Sequence, residues 1–220
     1  FLAYLADDVE VSSDWLKNIV NELEADSSVG VVTGPIVSTS FPAGEMHRLY
    51  LLSQKNIFTK FLSWPYLHFA MEDMPLAVGK LFESGAYSLG AGLPESKLLN
   101  RQEIDLATTS SMGIRRKVLE ILNGFDEEFS FNHADGDLFI RIKKAGYKII
   151  FNPKISAIHH MHLGPSRDAY FIGKDTALFY KKNIRPHTFS GYIGMILNIL
   201  MLNLYLVCSA IKKVILCQRN

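Results

Sequence analysis

The sequence predicts an α/β fold: a mixed, mostly parallel sheet flanked by helices, followed by a C-terminal hydrophobic helix. Three observations carry this. Residues 2–37 read as strand, helix, strand, and residues 108–160 as a short strand, two helices and two further extended pieces. From Pro186 to Ile211 there is no Asp, Glu, Lys or Arg. The expected organisation is one α/β domain over 1–186 and a hydrophobic segment over 187–220.

The first element is "FLAYLA", an apolar run read as a buried strand, which stops at Asp7 and Asp8. Two readings of this acidic pair compete. Both residues suit a turn, with Ser12 or Ser13 capping the helix that begins near Trp15. Alternatively a divalent cation beside them would relieve the repulsion between adjacent carboxylates. The helix follows from Trp15, Leu16, Ile19, Val20 and Leu23, which recur at helical spacing. "VGVVTGPIV" reads as a second strand interrupted by Gly34 and Pro35. Strand, helix, strand implies a crossover in a largely parallel sheet, where ligands sit beyond the carboxyl ends of strands. Asp7 and Asp8 would project there.

Residues 45–105 carry a weaker signal. "MHRLYLLSQKNIFTKFLSW" has helical periodicity, but the next stretch mixes Pro, Gly and aromatics without a period. Loops and short helices over the sheet are expected, with Glu72 and Asp73 in a solvated turn. In "SSMGIRRKVLEILNGF" a strand leads into a helix that Gly124 stops. "DGDLFIRIKKAGYK" is a helix with apolar Leu138, Phe139 and Ile142, ended at Gly146. Asp135 and Asp137 then fall at its N-terminus, where the helix dipole favours carboxylates, and capping accounts for Asp137. "YKIIF" and "ISAIHH" are extended pieces on either side of Pro153, and "HHMH" gathers His159, His160 and His162. Three imidazoles at a strand end suit a metal or a phosphate.

Composition narrows the function. A chain of 220 residues, 48% hydrophobic and 20% charged, can bury a good core. Its net charge of +1 argues against nucleic acid as a partner. Neither a P-loop nor a glycine-rich dinucleotide fingerprint is present. The two cysteines, Cys208 and Cys217, lack zinc-site spacing and fit a reducing compartment.

Taken in order, these segments resemble the family 2 glycosyltransferases, inverting enzymes of the GT-A fold. "LADDVEVSSDWL" is similar to the family's strand-end acidic motif, and "HADGDLFIRIKKAGYKIIFNP" to its catalytic helix. "ISAIHH" is similar to the following strand that ends in histidine, and "FYKKN" to the ending after it. The resemblance implies that Asp8 holds Mg²⁺ or Mn²⁺ against the donor diphosphate. Asp7 would lie closer to the sugar or ribose, and Asp135 would be the catalytic base. It assigns His159 to the diphosphate or metal, with His160 and His162 as further candidates, and leaves Arg141 a structural part. The implied partners are a nucleotide-sugar donor and a saccharide or lipid-linked acceptor. Ala6 and Ala134 stand where the family carries acidic residues. Two other readings therefore stay open: a metal-dependent nucleotidyl- or phosphotransferase, and a non-catalytic binding domain of the same fold.

Because the chain opens at Phe1 inside an apolar run, it is expected to be a piece of a longer protein. The nucleotide-reading half would precede it, and the fragment alone would be inactive. The tail, "YIGMILNILMLNLYLVCSAI", is long enough to span a bilayer, against a core helix as the alternative. Ser190, Gly194 and Asn198 form a small and polar stripe suited to a partner helix. A membrane contact through 187–211, with the enzyme on the cytoplasmic face, follows as the expectation.

Overall fold

The computed structural model describes residues 1–38, 45–89, 97–130, 132–160 and 169–217. The chain is mixed α/β. Five strands form the main sheet: β1 (Leu2–Leu5), β8 (Ser111–Ile114), β3 (Val29–Thr33), β9 (Lys148–Phe151) and β7 (Gln102–Ile104), side by side in that order. β2 (Val9–Val11), β10 (Ala157–His159) and β4 (Ile36–Ser38) form a second, smaller sheet. β5 (Lys80–Leu81) and β6 (Tyr87–Ser88) pair as a short ribbon.

The sheets are not mostly parallel. In the main sheet only β3 and β9 pair in parallel, because β8 inserts antiparallel between β1 and β3, and β7 runs against β9. The crossover from β1 to β3 survives in direction, with one strand between them. The "VGVVTGPIV" run is two strands, not one. It breaks at Gly34–Pro35, where Pro35 has no amide to donate, and its halves enter different sheets.

Alternation along the strands, shifted by an irregularity between Val29 and Val31, sorts the core onto two faces. Val31, Met112, Ile114, Ile149 and Phe151 meet Leu138, Phe139 and Ile142 of α5 (Ala134–Lys144). Val29, Val32 and Ile150 meet Trp15, Ile19 and Leu23 of α1 (Trp15–Ala25). Asp14, rather than Ser12 or Ser13, holds the N-cap position of α1. β1 also departs from expectation. It is an edge strand with Leu2 and Leu5 exposed, and Tyr4 alone packs inward, edge-on to Phe125 at 6.3 Å.

The stretch after β4 holds α2 (Glu45–Ser53), α3 (Ile57–Pro65) and a π-helical turn (Tyr66–Ala70). Glu72 and Asp73 follow in an exposed turn, both with positive φ. α4 (Arg116–Leu122) ends at Asn123 and Gly124, both left-handed. α6 (Ala169–Asn183) leads to α7 (Phe189–Cys217), whose first half seats on the π-helical turn. There the backbones approach so closely that a Cβ on Gly194 would lie 2.0 Å from the Phe69 carbonyl oxygen. Asn198 accepts from the Tyr66 hydroxyl at 2.7 Å and donates to the Tyr180 hydroxyl. Gly191, Gly194 and Asn198 are the buried residues of this contact, while Ser190 is exposed. Glu83 fastens the helix start, accepting from Thr188 N at 2.8 Å and from the His187 amide.

α1 lies so close to β8 that a Cβ on Gly113 would fall 2.1 Å from Ile19 Cγ2. Gly113→Ala is therefore expected to lower stability by about 1–3 kcal/mol. Adding Ile19→Ala should cost less than it does alone, and urea titration of the double-mutant cycle reads that coupling.

Candidate functional site

β1, β3 and β9 run in one direction, so their carboxyl ends share one edge of the sheet. Asp7 and Asp8 sit there, in the turn after β1 that is closed by Val9 N donating to Ala6 O at 3.2 Å. Both acids of the pair thus lie in a turn. Asp7 is exposed and Asp8 half-buried.

β10 brings the histidines to the same place. It pairs antiparallel with β2, setting His159 opposite Val9, and the His160 amide donates to the Asp8 carbonyl at 2.9 Å. His159 Nε2 lies 3.1 Å from Asp8 Oδ1. His160 turns to Glu10 instead, at 3.0 Å. His162 lies outside the described residues.

The Asp8–His159 pair suits a cation in its spacing. Two adjacent donors on an octahedral ion with bonds near 2.1 Å stand about 3 Å apart. A nitrogen donor also suits a softer ion than Mg²⁺, which makes Mn²⁺ the better fit of the two. Among the described residues no third carboxylate, imidazole or thiolate joins them. Further positions would fall to a ligand's oxygens and to water.

Asp135 reaches this edge from the other direction. α5 joins β9 through the turn at Gly146 and packs on it, so helix and strand run oppositely. The N-terminus of α5 thus lies at the edge where β9 ends. Asp135 is half-buried and accepts from the Gly136 amide at 2.8 Å. Among the described residues no cation pairs with it. Burial raises its carboxyl above the usual range, and the Gly136 amide offsets this in part.

Asp137 is not a cap. It is buried, receives Arg141 Nε at 2.7 Å and Asn183 Nδ2 at 2.9 Å, and so belongs to the framework. Arg141 also donates to the carbonyls of Leu122 and Gly124, each at 3.0 Å.

The sequence reading set His133 and Phe131 over Asp135, and it missed Asp175. Asp175 on α6 is fully buried and accepts from the amides of Ser130, at 3.1 Å, and Asn132, at 2.7 Å. It thereby shapes the loop that delivers Asp135; the one available signal was an acid four residues before the apolar Phe179. His133, left-handed at φ 63°, stacks on Phe179 at 4.7 Å with its Nε2 3.1 Å from Thr176 Oγ1. Burial pushes its imidazole down to about 4, an effect that the Asp175 charge partly opposes. Phe131 lies outside the described residues. Neither models of known families nor curated protein sequences match the chain.

A histidine held neutral in the folded state gives stability in full above pH 6.5 and loses it as pH falls toward 4, since the unfolded chain binds the proton first. Urea titrations should show about 3 kcal/mol of loss across that window. His133→Asn, which tolerates the left-handed backbone, should remove most of that slope. An unchanged slope would count against the buried neutral imidazole.

Proposed function

We propose that the protein is an inverting glycosyltransferase acting at the cytoplasmic face of a membrane. It would move a sugar from a nucleotide-diphosphate donor to a saccharide or lipid-linked acceptor. The observation that carries this reading is the meeting of Asp8 with His159 at the sheet edge to which α5 brings Asp135. An acid for a cation and a second acid that pairs with no cation among the described residues are the minimum equipment for such a transfer.

In this reading Asp135 takes the proton of the acceptor hydroxyl as that oxygen attacks the anomeric carbon. The bond to the diphosphate breaks on the opposite face, and the configuration inverts. Burial strengthens Asp135 as a base. Asp175 and the left-handed His133 hold the backbone before it, so the carboxylate needs no reordering. Asp8 and His159 would hold Mn²⁺ or Mg²⁺, which when bound supplies charge neutralisation to the departing diphosphate. Asp7, exposed in the same turn, is free to meet the donor's sugar or ribose. The largely exposed, apolar span of α7 over Phe189–Cys208 supports the membrane location.

Calorimetry on the intact protein with a panel of nucleotide sugars tests the first half of this scheme. Asp8→Asn should abolish Mn²⁺-dependent donor binding with little change in thermal stability, and unchanged affinity would reject the assignment. Release of pyrophosphate instead of nucleoside diphosphate would identify a nucleotidyltransferase.

Asp135→Asn tests the second half. It should lower kcat by about 10²- to 10⁴-fold while donor affinity persists. Asp137→Asn is the contrast: it weakens the buried pair with Arg141, so it should lower Tm more than Asp135→Asn does. Full transfer activity in Asp135→Asn would exclude it as the base.

A further inference from the structure

α3 is turned inside out. Its stripe of large apolar side chains, Ile57, Phe58, Phe61 and Leu62, is 81, 71, 77 and 69% exposed. Ser63 on the same helix is 6% exposed, and Ser53 at the end of α2 is 3% exposed. The buried hydroxyls are satisfied locally, Ser63 donating to the Thr59 carbonyl at 2.7 Å and Ser53 to the Tyr50 carbonyl at 2.6 Å. A surface helix in water carries the reverse pattern. Here four residues at i, i+1, i+4 and i+5 form one continuous apolar face that the protein leaves uncovered.

Three further observations choose the occupant of that face. Between Glu45 and Glu72 there is no acidic residue, whereas Arg48, Lys55 and Lys60 punctuate the apolar run. A basic, acid-free amphipathic segment suits anionic headgroups. Trp64 closes the stripe, half-exposed and stacked on His68 at 4.9 Å, the kind of ring that settles between hydrocarbon and headgroup. Finally, α3 runs through Pro65 into the π-helical turn on which α7 is seated. The helix with the uncovered face is thus joined directly to the turn that seats the exposed apolar helix, which meets lipid under the proposed function.

We propose that α3 is an in-plane membrane helix, lying in the headgroup boundary of an anionic bilayer with Phe58 and Phe61 in the acyl region. This goes beyond the proposed function, which takes only α7 to lipid, and it rests on that reading for the lipid contact of the neighbouring α7 alone.

The test uses the full chain with Cys208 and Cys217 replaced by Ser. Single fluorophores are attached through Phe58→Cys, Phe61→Cys, Leu204→Cys on α7, or Lys117→Cys on the exposed side of α4. The proteins are bound to vesicles of phosphatidylcholine and phosphatidylglycerol. Labels at 58 and 61 should shift to the blue and be quenched by lipids carrying a shallow nitroxide, while the label at 117 answers only to aqueous iodide. Iodide quenching at 58 and 61 equal to that at 117 would overturn the proposal, even with the label at 204 quenched by lipid. Labels at 58 and 61 shielded from both quenchers, in a protein that sediments as a dimer, would assign the face to a second copy and overturn it as well. Lipid quenching at 58 and 61 without quenching at 204 would uphold α3 and reject the membrane reading of α7.

Discussion

A buried carboxylate organises this structure. Asp137 is 2% exposed, and a charge so placed persists only if it is paired. Its two oxygens are divided between Arg141, one turn along α5, and Asn183, the last residue of α6. Arg141 in turn holds the carbonyls that end α4. One ion pair thus fastens three helices around the sheet face that carries Met112, Ile149 and Phe151. It also sets the rotation of α5. With Asp137 directed inward, a residue two positions earlier is turned roughly 200° away from it. Asp135 owes its outlook to the acid that looks like its twin in sequence.

What was legible in the sequence depended on periodicity. α1, α4, α5 and α7 announced themselves through apolar spacing and glycine stops, and β9 and β10 through β-branched runs beside Pro153. Strand direction carries no such local signal, which is why a mostly parallel sheet was expected where antiparallel pairs dominate. Composition also misled at β1: "FLAYLA" is apolar enough for a core strand, but which neighbours it gains is decided more than a hundred residues away. At the site, the acids and His159 stood out as residue types in sequence. Asp175 did not, because its importance lies in the backbone amides it receives, which a residue type does not record.

The two asparagines of α7 illustrate how context reverses the meaning of a polar residue. In sequence Asn198 and Asn203 weigh against a helix in lipid. In the fold, Asn198 is enclosed by the hydroxyls of Tyr66 and Tyr180, and Asn203 donates to the Ile199 carbonyl one turn back at 2.8 Å. Each is satisfied by the protein itself. The first half of α7 is accordingly a docked helix with a polar lock, and the stretch from Ile199 to Cys208 a largely exposed continuation of it. Glu83 holds the junction, kept below the usual carboxyl range by the Thr188 hydroxyl and by the backbone amides of His187 and Thr188.

The register of the main sheet sets the order in which the chain can assemble. Leu2 pairs with Ile114 and Leu5 with Ser111, and β3 waits for both β8 and β9. Among the described residues β1 therefore gains its strand partner only from a segment more than a hundred residues further along the chain. Until then an apolar strand and the α1 surface meant for Gly113 are open to water and to other chains. Closing so long a loop before any reward arrives makes for slow folding.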